Sequence, residues 1–103
     1  MNPAAVLGFA KAAGQLASGE DECLRAIRRG RARLVLLAAD AGPSTARRVR
    51  RAAEEHGVPC LRWGEKEALG AWIGQRPRAV VALLDGRFAR MLQGAVGAAE
   101  GRG

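Results

Sequence analysis

Residues 18–30, SGEDECLRAIRRG, crowd three carboxylates, Glu20, Asp21 and Glu22, ahead of Arg25, Arg28 and Arg29. An ionised carboxylate only accepts hydrogen bonds and can take two N–H donors at once. Arginine offers a flat fork of donors suited to phosphates and base edges. Side by side, the two suit recognition of a polar ligand better than bond-breaking. Catalytic groups are sparse elsewhere. The single histidine, His56, follows Glu54 and Glu55 at a helix end, where the helix dipole favours it. Cys23 and Cys60 are far apart and form no CxxC, so no metal set can be assembled from them with His56. The glycines after the apolar runs, in ADAGPS and LDGRF, stand alone and make neither a GxGxxG loop nor a P-loop. An enzyme is therefore not expected, nor is a cofactor or a metal.

The 103 residues are 49% apolar and 26% charged, with a formal charge of +7, which places the chain among single soluble globular domains. The expected division is one domain over residues 1–100 and a frayed tail at 101–103. No apolar run reaches membrane-span length, and MNPAAVLGFAKAAG lacks a signal-peptide pattern. These features point to a cytoplasmic, monomeric protein with no membrane partner and with reduced, packed thiols. The charge is almost all arginine, Lys11 and Lys66 being the only lysines. That composition is compatible with a nucleic-acid partner, but genomic base composition produces it too.

The elements that must position these residues alternate. Residues 4–17 read as a helix broken by Ser18-Gly19, and a second helix runs from Glu20 to Arg29 and ends at Gly30. Within it, Ser18-x-x-Asp21 has capping-box spacing and Asp21 sits four residues before Arg25. The acids at its mouth therefore have a purely helical explanation. ARLVLLAAD is a continuous apolar run, as expected of a central strand. A third helix over residues 44–56 carries Arg47, Arg48, Arg50 and Arg51. The i,i+4 pairs Arg50–Glu54 and Arg51–Glu55 make it a solvated face. VPCLRW is a short strand, EKEALGAWIG a short helix, RAVVALLD a second apolar strand, and residues 86–99 a last helix. Trp72 falls on the core face of its helix. Trp63 ends a strand, either as a partly buried anchor or as a base-stacking ring. Strands separated by helices predict an α/β fold, a three-layer α/β/α sandwich.

Taken in order, SGEDECLRAIRRGRARLVLLAADAGP, HGVPCLRWGEKEALGAWIG and AVVALLD resemble the kink-turn RNA-binding ribosomal protein family, the L-seven-Ae superfamily. The resemblance spans residues 16–85, and the SGED variant and compact length look most like a bacterial branch. It implies a mixed four-stranded sheet between helical layers and structured-RNA binding without catalysis, with the ribosome or translation factors as further partners. Carried over by position, the RNA face implied by the family begins at Gly19, Asp21 and Glu22. Arg25 stands where the family has lysine, Arg29 precedes the helix-ending glycine, and Lys66 precedes Leu69-Gly70. Arg76 and Arg78 occupy the loop that in the family touches a flipped-out nucleotide.

In this reading Glu22 accepts from the N–H edge of an unpaired guanine, and Arg25 makes the bidentate contact to O6 and N7. Where the family has asparagine, this chain has Asp21, which cannot donate and which repels phosphate. The alternative function is a protein-interaction module of the same fold, docking on a ribosomal or transcription–translation factor with only nonspecific RNA affinity.

Overall fold

The computed structural model describes residues 1–100; the tail expected to fray, residues 101–103, lies outside the described residues. Its elements are α1 (Pro3–Ala12), β1 (Leu16–Ser18), α2 (Glu20–Arg28), β2 (Leu34–Leu37), α3 (Pro43–Glu55), β3 (Cys60–Arg62), α4 (Lys66–Trp72), β4 (Val80–Leu83) and α5 (Gly86–Ala99). The strands form one sheet in the order β1-β4-β2-β3. Every residue of β2 and β4 is buried, which puts the two apolar runs at the centre of the sheet. They pair antiparallel, with Val35 opposite Ala82, while β3 lies parallel to β2 at one edge. On one side α1 packs on α5 and α4; α2 and α3 pack together on the other. The sandwich is the three-layer fold expected, with Leu7, Ile27, Leu36, Leu69, Leu83 and Leu92 among its fully buried side chains.

Two expectations fail between residues 12 and 22. The first helix stops at Ala12, and after Gly14 (φ 69°) the chain enters β1, which residues 4–17 had been expected to continue as helix. Leu16 and Ala17 fit the helical spacing, but three residues are too few for alternation to register. What makes them a strand is a partner distant in sequence, β4, with Leu16 opposite Leu83 and Ser18 opposite Val81. The capping box fails for the same reason. Ser18 belongs to the ladder, so Gly19 becomes the N-cap, at φ 89° and without a side-chain cap. Neither bond of the motif forms; the Ser18 N–H makes instead a long 3.5 Å bond to the Glu22 carboxylate. Among the described residues Asp21 and Arg25 form no ion pair, nor do Arg50 and Glu54 or Arg51 and Glu55.

Glu20 is the carboxylate that holds helices together. It accepts from the Thr45 hydroxyl at 2.7 Å and from Arg48 Nε at 2.5 Å, tying the start of α2 to α3. The Arg48 bond first, and the Thr45 bond second, hold its carboxyl below the ordinary 4.5.

Strand direction decides where function can gather. β1, β2 and β3 point one way and β4 the other. The carboxyl ends of three strands, the entrance to β4 and the N-termini of α2, α3 and α4 therefore share one end of the sheet. The loop into β4 lies hard against α4. A Cβ on Gly70 would sit 2.1 Å from the Arg76 carbonyl oxygen and 2.8 Å from the Pro77 Cα.

Alanine in a helix is ordinarily better than glycine by about 0.5–1 kcal/mol. Gly94 in α5 has open space around it, so Gly94→Ala stabilises by that amount. Gly70→Ala is expected instead to destabilise by about 1–3 kcal/mol, because the loop must move. Urea denaturation of the two variants checks the opposite signs. The Glu20 bonds stabilise the fold while the carboxylate is ionised. That contribution is lost as pH falls through a native pKa below the unfolded one. The wild type should exceed Glu20→Gln by less than about 1 kcal/mol at neutral pH, the pair being partly exposed. The gap should close below about pH 4, as read from thermal melts across a pH series.

Candidate functional site

The end of the sheet where three helices start carries a hollow of about 410 Å³. It is lined by Ser18, Gly19, Glu20, Asp21 and Glu22 on one side and by Pro77, Arg78 and Ala79 of the β4-entry loop on the other. Three kinds of group meet here: the free N–H donors of the first turn of α2, the exposed carboxylates of Asp21 and Glu22, and the positive charge of Arg78. The wall is set by a backbone bond from the Gly19 N–H to the Val80 carbonyl at 3.0 Å. Glycine is required at position 19 because the chain must turn from β1 into α2 at positive φ.

A second hollow, of about 430 Å³, shares Pro77 with the first and is lined by Asp40, Glu65, Lys66 and Glu67. Lys66 thus shares this hollow with three acidic residues, none of them at ion-pair distance from it among the described residues. Its backbone is fixed at both ends. The Lys66 N–H donates to Asp40 Oδ1 at 2.8 Å, and the Lys66 carbonyl accepts from the Arg78 N–H at 3.0 Å. The guanidinium of Arg78 curls back on its own loop, donating to Gln75 Oε1 at 2.7 Å and to the carbonyls of Arg76 and Pro77 at 3.1 and 3.3 Å. Arg78 therefore sets the shape of the loop as well as its charge.

Of the predicted residues, Gly19, Asp21, Glu22 and Arg78 share one hollow and Lys66 stands in the next. Arg25 and Arg29 continue along α2 and, with Glu22 and Arg31, line a smaller recess of about 240 Å³ beside β1. Arg76 is exposed and lines neither large hollow; its backbone carbonyl, pressed on Gly70, is its structural contribution. Sequence reasoning missed Asp40 as the clip on α4, Glu20 as the tie to α3, and Pro77 as the residue common to both hollows. Asp40 had a signal, an aspartate straight after a buried strand, but its partner is 26 residues away.

The remaining chemistry-bearing residues are structural. Trp63 stacks on Trp72 with ring centroids 5.5 Å apart, so the anchor reading of Trp63 holds. Burial pushes the Cys23 thiol, and less strongly that of Cys60, above the ordinary range, away from thiolate chemistry. A ring nitrogen of His56, the C-cap of α3, lies 3.0 Å from the Ala52 carbonyl oxygen. Among the described residues no cluster could hold a metal ion, and no helix is long and apolar enough to cross a membrane.

The chain as a whole resembles several known proteins. The RNA-binding protein YlxQ of Bacillus subtilis (strain 168) is 40% identical over 87 residues, covering 84% of this chain and 87% of that protein. Its namesake in Enterococcus faecium is 32% identical over 85 residues, 82% of each chain. A solved structure from Bacillus halodurans, of a protein with unknown function, superposes with a TM-score of 0.87 at 31% identity, covering 91% of this chain and 95% of that one. The Giardia lamblia 15.5 kD RNA-binding protein superposes with a TM-score of 0.76 at 28% identity, covering 93% and 82%. With these relatives the expectation of a binding protein rather than an enzyme stands. Residues 1–92 match the family profile itself, and the chain belongs to the ribosomal protein L7Ae/L30e/S12e/Gadd45 family.

Proposed function

We propose that this chain is a cytoplasmic, translation-associated RNA-binding protein that recognises a kinked or internally looped RNA through the α2 mouth and the β4-entry loop. RNA binding is supported by the family and by the relatives named RNA-binding. The observation that carries the finer reading is the mixture of charges in one hollow. Two exposed carboxylates, Asp21 and Glu22, face a basic loop at a helix N-terminus in a chain of net +7. A surface built only to hold phosphate would not place carboxylates there, since each repels the backbone. They become favourable when the RNA offers N–H donors, as the open guanine edge of a sheared guanine–adenine pair does. RNA readers generally use such irregular features, because side chains cannot read the A-form major groove.

In this mechanism Glu22 accepts from guanine and Arg25, one turn on, donates to O6 and N7. The N–H groups of the first turn meet sugar or phosphate oxygens. Arg29, Lys66, Arg76 and Arg78 add attraction to phosphate, Lys66 weakly because of its three acidic neighbours. Asp21 weakens the complex relative to asparagine, by a lost donor and an added like charge.

The test is a titration of two RNAs at several salt concentrations. One carries tandem sheared guanine–adenine pairs; in the other those pairs are made Watson–Crick. The kinked RNA should be preferred by about tenfold or more, with the ratio surviving rising salt. Glu22→Ala and Arg25→Ala should each erase the preference without lowering the melting temperature. Equal wild-type affinities that collapse together with salt would sink this reading in favour of a protein-docking role. Asp21→Asn should tighten binding to the kinked RNA by roughly tenfold to a hundredfold, from about 1–3 kcal/mol, in the same titration.

A further inference from the structure

The arginine run of α3 is not absorbed by the site just described. Spacing assigned it to pairs with Glu54 and Glu55. Instead the α3 arginine that finds a carboxylate is Arg48, and the carboxylate is Glu20 of α2. Arg47, Arg50 and Arg51 are exposed and have no carboxylate at ion-pair distance among the described residues. They sit at i, i+3 and i+4, neighbours on one flank of the helix. Together with Arg62 of β3 they line a groove of about 780 Å³, in which Glu54 is the acidic side chain. Arg62 is held in place by a 2.6 Å bond from its guanidinium to the Ala39 carbonyl. The groove starts at Pro43, at the end of the sheet that carries the candidate site, and follows α3 along the β3 edge away from it.

We infer that this groove is a second RNA contact, a track that takes the phosphate backbone of a helical arm leaving the recognised bend. This rests on the function proposed above. Four guanidinium groups against one carboxylate, in an open groove that begins at the same end of the sheet as the site, match a run of phosphates. They offer none of the mixed donors and acceptors that would read bases. The track therefore adds affinity and salt dependence without sequence preference.

The experiment titrates the whole chain and its Arg47→Ala/Arg50→Ala/Arg51→Ala variant with kinked and straight RNAs, each with long arms and with either arm trimmed. The triple variant should bind the long-armed kinked RNA about tenfold more weakly. The slope of log affinity against log salt should be shallower by about two to three. The preference for kinked over straight RNA should be unchanged, and trimming one particular arm from the wild type should reproduce the loss. The corresponding triple lysine variant should restore the slope, which separates charge from packing. An unchanged slope and affinity in the alanine variant overturns the track and leaves the groove to an acidic protein surface. If the slope falls as expected but the wild type shows no preference for kinked RNA, the bend-recognition reading fails and the track stands alone.

Discussion

The Lys66 peptide is the joint on which the functional end of the molecule depends. Its N–H is held by the Asp40 carboxylate, beyond β2, and its carbonyl receives the Arg78 N–H, just before β4. One residue thus fastens α4 to the segments flanking both central strands. The fastening works only because Gly70 lets the Arg76–Pro77 backbone lie directly on α4. Without that approach Pro77 would not reach both hollows, and the loop facing Gly19, Asp21 and Glu22 would have no defined position. Backbone hydrogen bonds and one missing side chain thereby set the spacing of a site whose specificity comes from charged groups.

Charge is organised at two levels. The net +7 creates a general attraction for polyanions, which is strong, long-ranged and indifferent to shape. Against that background the helix-rich end of the sheet is locally mixed. Glu20 is consumed in holding α2 to α3, whereas Asp21 and Glu22 remain exposed beside the loop, and Asp40, Glu65 and Glu67 line one hollow with Lys66. The predominantly positive surface lies along α3 and the β3 edge, where four arginines meet one carboxylate. This separation allows selectivity and raw affinity to be carried by different parts of one small fold, consistent with base contacts specifying and phosphate contacts positioning.

Family kinship and local geometry supply different things. Kinship accounts for the fold and the order of its elements. It does not decide what each charged residue touches. Arg78, placed by resemblance on the ligand side, spends its guanidinium on its own loop, and Arg76 acts on the fold through its carbonyl. Glu20, which resemblance left unassigned, turns out to be the tie between two helices.

The sequence by itself determined the layers and the identity of the central strands. LVLL and VVAL are continuous apolar runs of strand length, as strands covered on both faces require, and the helices between them carry their own start and stop signals. It also determined that Cys23 would be packed and that the acids at residues 20–22 would open a helix, because burial pattern and helix dipole act locally. The tertiary structure alone decided that Leu16–Ser18 is a strand, that Asp40 clips α4, and which arginines stay unpaired. Each of those depends on a partner 26 or more residues away. Local spacing brings Arg50 within reach of Glu54 and Ser18 within reach of the second helix. The ladder with β4 claims Ser18, and the carboxylate of Glu20 claims Arg48, and both partners come near only once the chain has folded.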